Sequence, residues 1–203
     1  MTSYRESVRS LLRERILDAA YERVAADGWD RLRMAHIATT AGVSRQTVYT
    51  EYGSKEAVGQ ALVMREVERF LVGVEQQLQD HPSDMRAALT AAVGYTLRAA
   101  ADNPLLASVL TSPRRGDDGL LTHLTTRSEP LLETATAVLA AHVQQTWPQV
   151  DAPSRDLAVE TLVRLTVSHI VQSSAPAEVA AARIAEVAVR IARPGASERL
   201  RPD

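Results

Sequence analysis

The 203-residue chain contains no cysteine. That absence removes disulfides, thiolate nucleophiles and most zinc sites, and it suits a reducing compartment. No apolar run approaches the ~18 residues of a membrane span, and the N-terminal residues hold no apolar signal core, so a cytoplasmic protein without membrane contact is expected. The sequence carries no GxGxxG, Walker loop, HExxH or GxSxG. Enzyme classes read from such motifs are left without support, and no catalytic residue, metal or cofactor is expected. Aromatics are few, at 4%, against 45% apolar residues. With no sheet signature, that balance fits an all-α chain rich in Ala and Leu. Lysine is nearly absent as well, since Lys55 stands alone among arginines.

What the chain does have is concentrated in residues 31–56, RLRMAHIATTAGVSRQTVYTEYGSKE. Met34, Ile37 and Ala38 recur at the i, i+3, i+4 interval of a short helix, which runs into Gly42, a residue able to take the positive φ that ends a helix. Ser44 stands where an N-cap belongs, with its hydroxyl placed to accept a backbone N–H of a second helix from Arg45 to about Tyr52. Val48 and Tyr52 face one side of that helix, whereas Arg45, Gln46, Thr47, Tyr49 and Thr50 occupy the other. Two helices joined by a short glycine-centred turn, the second displaying polar side chains, form the geometry of major-groove DNA readers.

At Ile37, Ala38, Ala41, Gly42, Val43, Ser44, Thr47, Val48, Tyr49, Lys55 and Glu56 the chain resembles the TetR family of transcriptional regulators, whose signature is roughly I-A-x-x-A-G-V-S-x-x-T-h-Y-x-x-F-x-x-K-E. Tyr52 replaces the family's usual Phe. Upstream, RERILDAAYERVAADGWDRL resembles the family's first helix, with Ile16, Ala19, Ala20 and Val24 as its apolar stripe and Gly28 closing it. Arg33 departs from the pattern, lying where a Thr or Ser usually caps the first reading helix; it is read as a long-reach phosphate contact. Further segments, including VSRQTVYTEYGSKEAVGQALVMREVERFL, HLTTRSEPLLETAT and LTVSHIV, resemble the TetR-type regulators found beside alkane hydroxylase genes in actinobacteria.

Geometry assigns roles along the second helix. Gln46 can pair with adenine and Arg45 with guanine, Thr50 can touch a thymine methyl, and Thr47, Tyr49 and Lys55 suit phosphates. Charge agrees in sign. Residues 1–55 hold nine Lys or Arg against seven acids, leaving +2 there and −4 over the remainder. A mildly basic head on an acidic body is expected to bind weakly alone and to depend on pairing of two heads.

Residues 1–53 are thus read as a helix-turn-helix head, 54–193 as a helical effector-binding and dimerisation body, and 194–203 as a tail. The body should hold a helix from Ser54 to about Asp80, a second from Ser83 to Asp102 and a short one from Leu105 to Leu110. A loop at 113–119 should follow, then a helix from Leu120 to Trp147 interrupted near Pro130. Two last helices, Ser154 to Ser174 and Ala177 to Ala192, are apolar on several sides. Leu162, Val163, Ile170, Val187 and Ile191 are expected to face a second copy, the alternative being an intrachain core, because a pseudo-palindromic double-stranded operator needs two heads about 34 Å apart.

The resemblance implies a small apolar effector in the body, and the alkane-linked subgroup implies a fatty acid or acyl derivative. Tyr95, Arg98, His123, Arg127, His142, Trp147 and His169 are the isolated polar groups that could orient it, with Arg98 or Arg127 meeting a carboxylate. A ligand-released repressor is the reading that follows. The rival is a helix-turn-helix protein with no small effector, governed by a protein partner or constitutive, and a body packed solid would favour it.

Overall fold

The computed structural model describes residues 4–103, 105–106 and 129–193. Eight helices and no strand occur among them: α1 Tyr4–Asp27, α2 Met34–Ala41, α3 Arg45–Tyr52, α4 Lys55–Gln79, α5 Met85–Asp102, α6 Glu129–Thr146, α7 Ala152–Val171 and α8 Ala177–Ile191. No helix among the described residues is long and apolar enough to cross a membrane. The loop expected at 113–119, most of the short helix from Leu105, residues 120–128 of the following helix and the tail lie outside the described residues.

The chain divides into two compact units, the first running to Glu66 and the second starting at Val67. In the first, α1 packs on α2 and α2 on α3. Ile16, Ala20, Ile37, Val48, Val58 and Leu62 are almost wholly removed from solvent. Val58 and Leu62 belong to the first turns of α4, so that helix completes the head's core rather than beginning beyond it. Arg65 holds the same stretch to α1: its guanidinium lies 3.2 Å from Glu14 and 2.8 Å from Asp18.

Helix ends follow local chemistry. Gly42 takes φ 64° at the end of α2, and the N–H of Val43 returns to the Ala38 carbonyl at 3.0 Å. That left-handed φ is what favours glycine there, since the nearest atom to a Cβ would be the movable end of the Arg15 side chain. Ser44 and Ser54 cap α3 and α4 by accepting from Thr47 N and Ala57 N. Two starts differ from expectation by a residue or two. Asp84, not Ser83, caps α5, because its carboxylate reaches Ala87 N at 3.0 Å. The helix expected from Ser154 begins at Ala152, since Asp151 accepts from Ser154 N and Pro153 fits the first turn, where no N–H is needed.

In the second unit α8 packs against α5 and α7, and α6 against α7. The alanines of α8 explain the close α5 contact: Ala180, Ala181, Ala185 and Ala188 are buried, and a Cβ at Gly94 of α5 would touch Ala181. The last two helices also supply the intrachain core. Leu162 lies in the intrachain core, and Val163, Ile170 and Ile191 pack partly against it. Of the five residues expected at a dimer face, only Val187 is an exposed large apolar residue. Leu157, Leu165 and Val171 of α7 and Val179 of α8 join it outside.

Candidate nucleic-acid interface and body cavity

The reading helix presents its polar face as expected. Arg45, Gln46, Tyr49 and Thr50 are exposed, while Val48 is fully buried beneath them. Arg45 is organised by its neighbour one turn on: its Nη2 donates to the Tyr49 hydroxyl at 3.3 Å, and the guanidinium lies 5.3 Å from the ring centroid. Thr47 is half-buried, with its hydroxyl 2.8 Å from that of Ser44. Arg33 is exposed and extended at the start of α2, with no side-chain cap. Lys55 does not project freely. Its ammonium sits 4.7 Å from the Trp29 ring centroid and 3.5 Å from the Asp30 carbonyl, a cation–π seat that leaves two N–H donors for a phosphate.

A clamp invisible to motif reading fixes the end of the same helix. Arg9 Nε donates to both Glu51 oxygens, at 3.1 and 2.9 Å, and Arg13 donates to the Glu51 carbonyl at 3.2 Å. Tyr52 donates its hydroxyl to the Arg13 carbonyl at 3.0 Å, and the Arg13 guanidinium covers its ring at 4.6 Å. This bond gives a reason for Tyr where the family pattern has Phe. Burial pushes the phenol pKa up, opposed by the Arg13 charge. The signal for the clamp was an acid, Glu51, on a helix otherwise suited to phosphates. Glu51→Gln should cost the head ~1–2 kcal/mol, because Arg9 is largely exposed but the Glu51 carboxylate is mostly shielded from water. It should also strengthen non-specific DNA binding at low salt by unmasking two arginines, as a salt titration of fluorescence anisotropy would read.

The second unit holds a cavity of about 300 Å³ lined from α4, α5, α6 and α7. Its walls are mainly Leu, Val and Ala, with Phe70 of α4 and Ile170 of α7. The polar lining residues are Glu75, Thr96, His142, Gln145 and Thr166. Burial lowers the His142 pKa, with a smaller opposing pull from Glu75, so the imidazole is neutral at pH 7.

Most polar residues expected at a ligand are elsewhere. Tyr95 stacks on Phe70 with centroids 6.0 Å apart, and its hydroxyl occupies the space a Cβ at Gly73 would need. Arg98 is exposed, 3.7 Å from Glu178. Trp147 is buried in the core with its ring edge-on to His142, and His169 lies 3.3 Å from the Ser174 hydroxyl. None of the four lines the cavity, because helical phase turns each toward core or solvent. His123 and Arg127 lie outside the described residues. His142 does line it.

A capped, polar-faced reading helix on a small helical head, joined by one continuous helix to a body with an apolar cavity, defines a helix-turn-helix DNA-binding transcriptional regulator. Comparison with known proteins gives the family. Residues 16–62 match the model of bacterial regulatory proteins of the tetR family, and residues 84–190 match that of the C-terminal domain of the bacterial tetracyclin repressor. The chain belongs to the TetR family. It is 30% identical over 167 residues to the HTH-type transcriptional regulator AlkX of Mycobacterium tuberculosis, covering 82% of this chain and 78% of that one. The solved TetR family repressor AlkX from a Dietzia strain, implicated in biodegradation of n-alkanes, superposes with a TM-score of 0.61 at 26% identity, covering 88% of this chain and 98% of that one. These two likenesses support the alkane-linked subgroup. FadR from Bacillus subtilis, solved in complex with stearoyl-CoA, shares the fold with a TM-score of 0.59 at 17% identity, over 87% of this chain and 97% of that one.

Proposed function

We propose that the chain is a non-enzymatic, dimeric transcriptional repressor that reads a pseudo-palindromic operator and is released by a small apolar effector. The observation that carries this reading is the exposed Arg45-Gln46-Tyr49-Thr50 face, held by the Ser44 cap and the Arg9–Glu51 clamp. Gln46 and Arg45 read bases, Thr50 meets a thymine methyl, and Thr47, Tyr49, Arg33 and Lys55 anchor phosphates. The cavity favours an effector over the solid-bodied rival. Because α4 lines it with Phe70, Val74 and Leu78 and continues from the head, an effector that prefers one setting of α4 shifts the spacing of two heads. A differential of ~1–3 kcal/mol would change operator affinity about five- to 150-fold. The likeness to the n-alkane-linked AlkX supports a molecule with a hydrocarbon tail. Arg98, expected to receive a fatty acid's carboxylate, stands outside the cavity.

Sequencing DNA selected by the purified protein from a random pool tests the reading. Two related half-sites with centres about one helical turn apart are expected, and a pool without enrichment would end it. On the selected site, Lys55→Ala should weaken all sequences alike and reduce the salt slope by about 1, while Gln46→Ala should relax one base step worth ~1–3 kcal/mol. An unchanged selection profile for Gln46→Ala would remove it from base reading.

A further inference from the structure

We infer that the body cavity takes an uncharged straight-chain molecule ending in a hydroxyl, a primary alcohol, in preference to the corresponding carboxylate; this rests on the reading of that cavity as the effector site. The walls decide the tail, and the state of the polar lining groups decides the end group.

Thr96 of α5 and Thr166 of α7 each have one hydroxyl proton, and each gives it to its own helix. Thr96 Oγ1 donates to the Ala92 carbonyl at 2.8 Å, and Thr166 Oγ1 donates to the Leu162 carbonyl at 2.7 Å. What remains on both oxygens is lone pairs. Glu75 of α4 is a further acceptor, with Oε1 already taking a bond from Gln79 at 2.9 Å. The neutral His142 ring of α6, with Nε2 3.3 Å from the Thr146 hydroxyl, carries no positive charge to offer. Among the described residues no Lys or Arg lines the cavity; the donors left are the amide of Gln145, which like Glu75 is exposed, and the single N–H of the neutral His142 ring.

A carboxylate brings a full negative charge and no proton. In this cavity it would leave water for a lining of acceptors with the Glu75 carboxylate among them, an arrangement that desolvation and like charge both oppose. A hydroxyl brings one donor and two lone pairs. Its proton can go to the free lone pairs of Thr96 or Thr166, and its oxygen can accept from Gln145. An alkane would satisfy the walls but form no hydrogen bond with the remaining lone pairs of Thr96 and Thr166 or with the Gln145 amide, which makes it the weaker ligand of the two neutral molecules. The cavity volume lies at the low end of ligand pockets, ~300–1,000 Å³, so a medium-length chain is the suitable probe.

Calorimetric titration of the full-length protein at neutral pH with 1-decanol, decanoate and decane tests the inference. Decanol should bind about tenfold more tightly than either of the others, the factor that about one net hydrogen bond supplies. Thr166→Val, which keeps shape and removes the acceptor, should weaken decanol about fivefold and leave decane unchanged. Decanoate binding as well as decanol would overturn the alcohol preference while the cavity kept its role as effector site. Failure of all three to bind would overturn both readings. Equal weakening of decanol and decane in Thr166→Val would show altered packing rather than a lost acceptor, and would also overturn the preference.

Discussion

Ile37→Ala should lower the stability of the head by ~2–5 kcal/mol and abolish operator binding at temperatures where the body is still folded. Ile37 is wholly buried on α2, the helix that packs against both α1 and the reading helix. Truncation removes apolar transfer energy and leaves a cavity in the smaller of the two units, whose small core has little to spare. The loss falls on function directly, because α3 is only eight residues long and a helix of that length does not persist in water without packing. Two transitions in a thermal melt, the lower one shifted down and the upper one unchanged, would be the signature. Thr50→Ala, on the exposed face of α3, supplies the contrast: near-normal stability with altered DNA recognition. If Ile37→Ala melted as the unsubstituted protein does and still bound the operator, the account of the head's core would be wrong.

The head was legible in the sequence because its determinants are local. Gly42 and Ser44 set a turn and a cap within three residues of each other, and the stripe of Met34, Ile37 and Ala38 needs only helical period to be seen. What escaped was set by distance along the chain. Glu51 meets Arg9 across 42 positions and Arg65 meets Asp18 across 47, and nothing in local spacing pairs an acid on one helix with an arginine on another. The body shows the same limit. Apolar residues on every side of α7 and α8 correctly indicate burial, yet periodicity cannot say which side meets this chain. Small residues held the answer: Gly94 on α5 and the alanines of α8 permit close approach, so the alanine face with Ile184 is internal, and Val179 and Val187 are left exposed. Polar body residues were likewise read by type, whereas helical phase admits Thr96, His142 and Thr166 to the cavity and turns Arg98 away.

Leu165→Arg combined with Val187→Arg should convert the protein to a folded monomer and reduce operator affinity by about 10²–10⁴-fold. Regulators of the TetR family act as dimers on DNA operators, and on this chain the outward apolar residues of the last two helices are the suitable surface. Leu157, Leu165 and Val171 are exposed on α7, Val171 to 68%, and Val179 and Val187 are exposed on α8. Neither substitution site is in the core, so each arginine leaves the intrachain packing of Leu162, Ile184 and Ala188 intact. In a two-fold contact every substitution occurs twice, so two changes bring four arginines into one apolar interface. The effect on DNA is then a matter of effective concentration. A single head with a net charge near +2 makes few phosphate contacts, and binding becomes useful when the first head delivers the second to its half-site. Sedimentation should therefore show the mass of one chain with the helical circular dichroism spectrum unchanged, and the binding curve should shift without any change in the preferred half-site. A variant that remained dimeric would place the interface on another surface; a monomer with undiminished affinity would remove the need for paired heads.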